Sequence, residues 1–185
     1  MAILGVDDFK SKIRGGGARP NLFKATVNFP TYAAGDVELT SFMCKGAQLP
    51  ASVTNVIDVP FRGRQLKVAG DRTFEPWTVT IINDTDFVIR DAMEKWSNSI
   101  NDLQTAQGTI SPEVYQRNAL VTQLSREGTS PSDPEKVLRT YKFEGIYPNT
   151  VSSIPLDFGA TDQIEEFQVT FNYLFYEVAS PTGNF

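Results

Sequence analysis

The sequence predicts a mainly β fold with one α-helix. Aromatic residues make up 11% of the 185 residues. They lie mainly in segments where apolar and polar side chains alternate, as in strands with one buried face. The clearest such segment places Trp77, Val79 and Ile81 on one side of a strand. A single long stripe of apolar residues has helical spacing instead, at Ile89, Met93, Trp96 and Ile100. A strand that leads directly into such a helix predicts a helix lying on a sheet.

Residues 1–17 are predicted to form a flexible N-terminal arm. The apolar residues of this arm are Ile3, Leu4, Val6 and Phe9. The segment ends in three consecutive glycines at 15–17, which cannot hold it rigid. Two interpretations stay open: a disordered terminus, or an arm whose apolar side chains dock on a neighbouring subunit.

A single domain is predicted over 18–178, because a chain of this length can build one sizeable core. Its first strand is predicted from Leu22 to Phe29, where apolar and polar residues alternate. The segment from 31 to 36 is predicted to be a loop, and a second strand is predicted at about 38–45. Cys44 lies in this second strand and is expected to pack as a small core residue. A reactive thiol is disfavoured because the sequence has no histidine to activate it.

A long protruding hairpin is predicted over 51–72. Its first arm alternates from 53 to 59, Pro60 interrupts the pattern, and its second arm leads to a turn at Gly70-Asp71. The candidate interface residues of this hairpin are Arg62, Arg64, Lys67, Asp71 and Arg72. Three interpretations stay open for the cations: a solvated strand face, contacts with DNA phosphates, or contacts with acidic groups on another copy of the chain. The third interpretation is preferred.

The helix is predicted over 84–100, and further strands are predicted after it. Side-chain oxygens from Asn83 to Asp86 are expected to cap the first turn of the helix. The later strands are predicted at Ala119–Leu124, Val137–Tyr147 and Glu165–Glu177, the last being the longest. An exposed loop is predicted at 126–135, a turn at Pro148-Asn149, and a C-terminal tail at 179–185.

Residues that carry chemistry are almost absent. With no histidine and one cysteine, the chain has no histidine-based triad, zinc–histidine site or disulfide framework. It also has no phosphate-binding glycine motif, so an enzyme, a cofactor and a metal are not expected. The acidic residues Asp162, Glu165 and Glu166 lack the spacing of a calcium loop and are interpreted as a solvated or subunit-facing edge. A net charge of −5 disfavours a nucleic-acid binder, because the affinity of such a protein comes from lysine and arginine residues that neutralise phosphates.

Assembly in a reducing cytoplasm is expected. The single cysteine fits such a compartment, and no apolar run approaches the roughly 20 residues of a membrane span. Asp7 and Asp8 stand where a signal peptide would continue its apolar segment. Neither membrane insertion nor secretion through a signal peptide is therefore expected.

Several segments together resemble the tail tube proteins of contractile-tailed bacteriophages of the T-even type. The resemblance is carried by ARPNLFKATVNF at 18–29, FMCKGAQLPAS at 42–52, VAGDRTFEPWTVTIINDTDF at 68–87, KFEGIYPN at 142–149 and IEEFQVTFNYLFYE at 164–177. The AGDRTF and CKxxxLP segments are specific in combination, and the resemblance covers most of the chain. It adds little over the first 17 residues, over 31–39, and after Glu177.

The resemblance implies a structural virion protein. It implies a β-sandwich or barrel-like subunit with one helix. It also implies hexameric rings that stack through extended loops into an inner tail tube, with neighbouring subunits joined into a continuous ring-shaped barrel. The implied partners are further copies of the chain, the tail sheath protein, the tape measure protein, the baseplate hub or tube initiator, and the tail terminator. The tube would be assembled in the host bacterial cytoplasm and would carry DNA in transit without binding it specifically, along a lumen that is net negative or neutral.

Alternatives stay open beside the tail tube. The chain could form the inner tube of a phage-derived injection particle or type VI secretion system, which would carry protein, or a tube-initiating baseplate ring. A small β-barrel ligand-binding domain or enzyme is the alternative of another class. Open strand edges with few prolines favour an assembly, because pairing with neighbouring copies protects such edges and a head-to-tail contact closes into rings or propagates as a filament.

Overall fold

The computed structural model describes residues 5–13, 17–126 and 137–179. Helical segments within these residues are α1 (Val6–Lys12), α2 (Val37–Met43), α3 (Val88–Ile100) and α4 (Pro112–Tyr115), with a 3₁₀ turn at Thr31–Ala33. The strands are β1 (Phe23–Val27), β2 (Cys44–Ala47), β3 (Ser52–Phe61), β4 (Arg64–Phe74), β5 (Trp77–Ile82), β6 (Arg117–Leu124), β7 (Val137–Val151), β8 (Glu166–Asn172) and β9 (Phe175–Ala179). The prediction of a mainly β, sandwich-like subunit is confirmed, although short helices accompany the one long helix.

Two antiparallel sheets form the sandwich, and strand β7 belongs to both. In the first sheet, β7 pairs with β6 and with β9, and β6 pairs with β1. In the second sheet, the last part of β7 pairs with β8, β8 with β5, and β5 with β2. The pairing path does not close into a barrel, because β1 and β2 lie at its two ends.

Strand β7 bends to pass between the sheets. Gly145 has a φ of 67°, and a Cβ built there would lie 2.7 Å from Cδ1 of Leu174, so this position requires glycine. The predicted turn at Pro148-Asn149 is wrong. The strand continues to Val151 and accommodates Pro148 beside a shift in register, as prolines in sheets do at bulges.

The predicted long strand over 165–177 is two strands. The break lies at Tyr173-Leu174, where the amide of Leu174 donates a hydrogen bond of 2.9 Å to the carbonyl of Glu144. The chain thereby leaves the second sheet and joins the first as β9. Because of this crossing, Phe167 and Phe171 are buried but Phe175 is exposed.

Aromatic side chains fill the space between the sheets and α3. Trp77 stacks on Phe143 with ring centroids 4.5 Å apart, and Phe171 contacts both Trp77 and Trp96. The two indole N–H groups are satisfied by backbone carbonyls at 2.8 Å, of Gln48 and Tyr115, as buried tryptophans require. The predicted helical stripe is confirmed where Ile89, Met93 and Trp96 are buried; Ile100 packs at the margin of the core.

The predicted second strand over 38–45 is wrong for most of its length. Asp36 accepts a hydrogen bond from the amide of Leu39 at 2.9 Å and caps α2, so the chain is helical until Met43. Leu39 and Met43, four residues apart, pack on the core, while Phe42 points outward with 80% of its side chain exposed. The cap at Asp36 thus stabilises a short helix in a segment whose residue composition favours a strand.

The long helix begins at Val88 and not at residue 84. The residue before it, Phe87, has a φ of 54° and makes no side-chain capping bond. The predicted capping by Asn83–Asp86 is therefore wrong: Asn83 instead donates to a carboxylate oxygen of Glu165 at 3.0 Å. Among the residues that the structure describes, no helix is long and apolar enough to cross a membrane.

Candidate assembly interface

The hairpin of β3 and β4 is almost fully exposed. These two strands pair only with each other among the described residues. Every residue of β3 is exposed, and in β4 only Gly70 and Phe74 are partly covered. At the tip, Arg62 and Gly63 have φ values of 44° and 79°, the two positive angles of the tight turn that suits twisted strands.

Gly70-Asp71 forms a bulge within β4 and not the turn that the sequence predicts. Thr54 lies opposite Arg72, whereas Val56 lies opposite Ala69, so Asn55 faces two residues, Gly70 and Asp71. A Cβ at Gly70 would lie 3.1 Å from the carbonyl oxygen of Asn55. This close approach explains the glycine, and such bulges increase the local twist of a hairpin.

The two faces of the hairpin differ in polarity. Directly opposed residues share a face, and one face carries the pairs Ile57–Val68 and Val59–Leu66, with Phe61 opposite Arg64 at the tip. All six side chains are exposed, Phe61 by 64%. The other face carries the pairs Val56–Ala69, Asp58–Lys67, Pro60–Gln65 and Thr54–Arg72. The hairpin is therefore an amphipathic ribbon whose apolar face is uncovered in the subunit.

The predicted interface residues of the hairpin do not form one patch. Arg62 lies in the turn, 5.4 Å from the Phe61 ring centroid, and Arg64 lies on the apolar face. Lys67 and Arg72 lie on the opposite face, and Asp71 lies in the bulge. None of the four cations makes an ion pair within the described part of the chain.

Aromatic residues fix the root of the hairpin to the sandwich. The Phe74 ring lies 5.8 Å from that of Tyr173 and 5.7 Å from that of Tyr176. The Tyr173 hydroxyl donates to the carbonyl of Ala51 at 3.3 Å, and burial raises the pKa of this tyrosine to about 12. The root is thus held in place, and the strands beyond it extend away from the core.

A second exposed apolar feature lies in the connection from β7 to β8. Leu156, Phe158 and Ile164 are largely or fully exposed there, Leu156 by 81%. Beside them is an open groove of about 540 Å³, lined by Ile154, Pro155, Leu156, Asp157, Ala160, Gln163, Ile164, Glu165 and Glu166. The sequence predicts an acidic edge at this place but not its exposed apolar residues. Their spacing is irregular, so periodicity gives no signal for them.

The N-terminal arm is helical where the structure describes it. In α1, Val6 and Phe9 are 70% and 64% exposed, and Asp8 accepts a hydrogen bond from the amide of Gly5 at 3.3 Å. Ile3 and Leu4 lie outside the described residues. Docking of this arm on a neighbour stays a prediction.

Neither Cys44 nor the acidic residues form a reactive or metal-binding site within the described part of the chain. Cys44 is partly buried against the core, and burial raises the pKa of its thiol to about 11, which disfavours the reactive thiolate. No group of three or more histidine, cysteine, aspartate or glutamate residues in the described ranges could hold a metal ion. Glu166 instead forms an ion pair with Lys45.

Comparison with known proteins identifies the family. The family model for phage tail tube proteins matches residues 18–179. The chain is 31% identical to the tail tube protein gp19 of Enterobacteria phage T4, over 93% of this chain and 99% of that protein. It is 28% identical to the tail tube protein of Serratia phage KSP90, over 91% of this chain and 93% of that protein.

Solved structures show the same fold in contractile systems. The tube-terminating cap of the anti-feeding prophage superposes with a TM-score of 0.63 at 17% identity, over 89% of this chain and 91% of that chain. The sheath-tube complex of an extracellular contractile injection system gives a TM-score of 0.56 at 14% identity, over 95% and 98%. The chain belongs to the phage tail tube protein family, whose members are structural parts of the phage tail and not enzymes.

Proposed function

We propose that this protein polymerises as stacked hexameric rings into the inner tube of a contractile phage tail, the conduit for DNA into the host. The observation that carries the proposal is the uncovered apolar face of the β3–β4 hairpin. An isolated two-stranded hairpin is marginal in water, and a contiguous exposed apolar surface marks an interaction site. Membership of the tail tube family makes a further copy of the chain the natural partner.

The open edges of the sandwich support ring formation. Strands β1 and β2 end the pairing path, so each leaves one side of its backbone without a strand among the described residues. Pairing across subunits would satisfy these groups and would join six sandwiches into a continuous ring-shaped barrel. The Val6 and Phe9 side chains of α1 add a second apolar contact with a neighbour.

The charge distribution supports passage of DNA without binding. The chain carries a net charge of −5, which repels phosphate at long range. We expect a lumen that is net negative or neutral, with the cations of the hairpin used between subunits. In this arrangement DNA moves through the tube and contacts no dedicated site.

The remaining partners follow from the place of a tube within a tail. The sheath protein would surround it, the tape measure protein would fill it before DNA does, and a baseplate hub and a terminator would bind its two ends. Structures with this fold include a sheath-tube complex and a sheath/tube terminator. Assembly would occur in the cytoplasm of the host bacterium, and the product is part of the virion.

Two related roles are the alternatives: the tube of an injection particle or secretion apparatus that carries protein, and a single initiating ring of the baseplate. The fold is shared by tubes and by tube-terminating caps, so it does not separate these roles.

Negative-stain electron microscopy across a concentration series, beside size-exclusion chromatography with light scattering, tests the proposal. Long hollow tubes with six-fold end views support it. Single rings that never stack, even with tail baseplates added as seeds, contradict it and favour an initiator. A monomer that neither assembles alone nor extends from baseplates contradicts both.

A further inference from the structure

We propose that the tip of the β3–β4 hairpin of one subunit docks into the groove of the β7–β8 connection on an adjacent subunit. The inference rests on the proposed function, because it names the surface that receives the hairpin within the tube. The tip presents Phe61, Arg62 and Arg64, and the groove lies within 154–166. Each subunit then contributes one tip and one groove.

The tip has the composition of an interface anchor. Phe61 is exposed, and the Arg62 guanidinium lies over its ring. Arg64 lies directly opposite Phe61 on the same face of the ribbon. Aromatic residues and arginine are the residue types enriched at the energetic centres of interfaces. The turn at Arg62-Gly63 orders these three side chains in advance, which reduces the entropy lost on binding.

The groove offers matching chemistry. Its lining combines apolar side chains such as Ile154, Leu156 and Ile164 with the carboxylates of Asp157, Glu165 and Glu166. An aromatic ring would be received by the apolar lining, and guanidinium groups would bind the carboxylates. Its volume of about 540 Å³ exceeds that of a phenylalanine side chain several-fold, so the ring and the two arginine stems can enter together.

Both surfaces carry charged groups that make no ion pair within the described residues. Arg62 and Arg64 make no ion pair within the described residues, and neither do Asp157 and Asp162. Asp162 stands between the groove residues Ala160 and Gln163. Asp157 and Asp162 accept no side-chain hydrogen bond among the described residues, although Oδ1 of Asp157 accepts the amide of Gly159 at 2.8 Å. Glu165 accepts a side-chain hydrogen bond from Asn83, and Glu166 pairs with Lys45. Asp157 and Asp162 are therefore the expected partners of the two arginines.

The sequence-wide charge distribution selects this surface over others. After Lys142 the chain has no lysine or arginine. The acidic residues of this part are Glu144, Asp157, Asp162, Glu165, Glu166 and Glu177. A basic tip is attracted to such a region and repelled by few groups within it, which fixes orientation as well as affinity.

The contact must form between copies. Strand β3 has 10 residues and extends roughly 30 Å from its root at about 3.3 Å per residue. No hydrogen bond, ion pair or ring contact joins the tip to the groove among the described residues. A tip that binds a different surface on the next copy makes a head-to-tail contact. Repetition of such a contact either closes a ring or propagates along a tube.

Crosslinking within assembled wild-type-like tubes tests the contact directly. Leu66→Cys, on the same face as Phe61 and Arg64, and Ala160→Cys in the groove place two thiols that a short bis-maleimide can join, while Cys44 reacts poorly because its thiol is partly buried. We expect a ladder of covalent dimers, trimers and higher species on a denaturing gel. Variants with either cysteine alone are the controls and should give no ladder. Tubes that assemble but yield only monomers, or only dimers, would overturn the inference and leave the tube function standing.

Exchange of charges provides an independent test. Arg62→Glu with Arg64→Glu, and Asp157→Lys with Asp162→Lys, should each raise the concentration needed for assembly about three- to tenfold, and the combination should bring it back to within about twofold of the wild type. The matched control is Lys67→Glu with Arg72→Glu, which makes the same charge change on the shaft of the hairpin.

The aspartate variant should not rescue that control. Equal rescue of tip and shaft variants, or no rescue of the tip variant, would overturn the inference. If the wild type itself forms no stacked rings even on baseplate seeds, the proposed function fails and the inference fails with it.

Discussion

Strands β5 and β3 are both rich in β-branched residues, but they stand in opposite environments. In β5, Trp77, Val79 and Ile81 are each about 1% exposed or less, and strands flank it on both sides. Every residue of β3 is exposed, and its partner within the subunit is β4. Since the residue types are similar, the difference lies in what covers them: the subunit's own core covers β5, and the proposed neighbours cover β3. Folding and assembly therefore depend on separate sets of apolar side chains.

The largest loss of stability is expected from a substitution in the core. Phe143→Ala removes a fully buried ring that stacks on Trp77 and contacts Tyr173, and it should lower the free energy of unfolding by about 3–5 kcal/mol. Urea unfolding of the unassembled subunit measures this loss. A change below about 1 kcal/mol would mean that the core tolerates a cavity at this position, and the contrast with the hairpin would then disappear.

Changes on the apolar face of the hairpin are expected to weaken assembly without lowering the stability of the subunit. Val59→Thr with Leu66→Thr removes apolar surface from one opposed pair, and it should raise the concentration needed for tube assembly about tenfold or more. The free energy of unfolding of the subunit should change by no more than about 0.5 kcal/mol, because both side chains are exposed. Sedimentation of tubes and urea unfolding measure the two quantities.

Thr54→Ala, on the opposite face, is the control for the hairpin variant and should leave assembly nearly unchanged. If the double variant instead destabilised the subunit as much as it weakened assembly, the separation of the two sets of side chains would be wrong.

Charge reversal at Arg62 and Arg64 should weaken assembly about three- to tenfold in moderate salt. Exposed ion pairs are screened by salt, so the gap between wild type and variant should narrow as ionic strength rises. Light scattering at several salt concentrations follows this trend. If tubes of the double variant are as stable as wild-type tubes, Arg62 and Arg64 do not contribute to the interface.

The smallest effect on stability and assembly is expected from Cys44, which lies beside the core and away from the hairpin. Its pKa of about 11 against an ordinary value of 9.0 makes the thiolate roughly a hundredfold rarer at about pH 8 than in the unfolded chain. Alkylation of the folded subunit should be slower by that factor, and alkylation should not alter assembly at neutral pH.

The same pKa shift fixes the direction of a pH effect on stability. The folded state holds the thiol proton more tightly than the unfolded state, so the contribution is complete below pH 9 and is lost as pH rises towards about 11. Thermal unfolding across this range measures it. Stability that rises between pH 9 and 11 would contradict the burial of Cys44.

How much the sequence predicts differs between these two regions. Period-two burial of Trp77, Val79 and Ile81 and the helical stripe of α3 are predictable, because burial on one face imposes a regular period. The hairpin's existence is predictable from the same alternation, but its turn is not. Gly70-Asp71 and Arg62-Gly63 both offer a glycine beside a polar residue, and only strand register assigns one to the bulge and the other to the turn.

Tertiary context overrides local pattern in the remaining places. The alternation from 165 to 177 is continuous, but the chain changes sheets at Tyr173-Leu174 because Gly145 allows Leu174 to approach β7. The composition over 38–45 favours a strand, but the cap at Asp36 stabilises helix α2 there. Similarly, the groove within 154–166 forms from a connection without periodicity, so the residues show its acidity but not its shape.

Strand β7 also has a mechanical consequence. Because one continuous backbone belongs to both sheets, a shearing load on the sandwich is resisted by rows of hydrogen bonds along a covalent strand. In a sandwich of separate sheets, such a load would be resisted mainly by side-chain contacts, which can slip past one another. The two halves of the subunit are therefore held together by one covalent strand as well as by the packing of side chains.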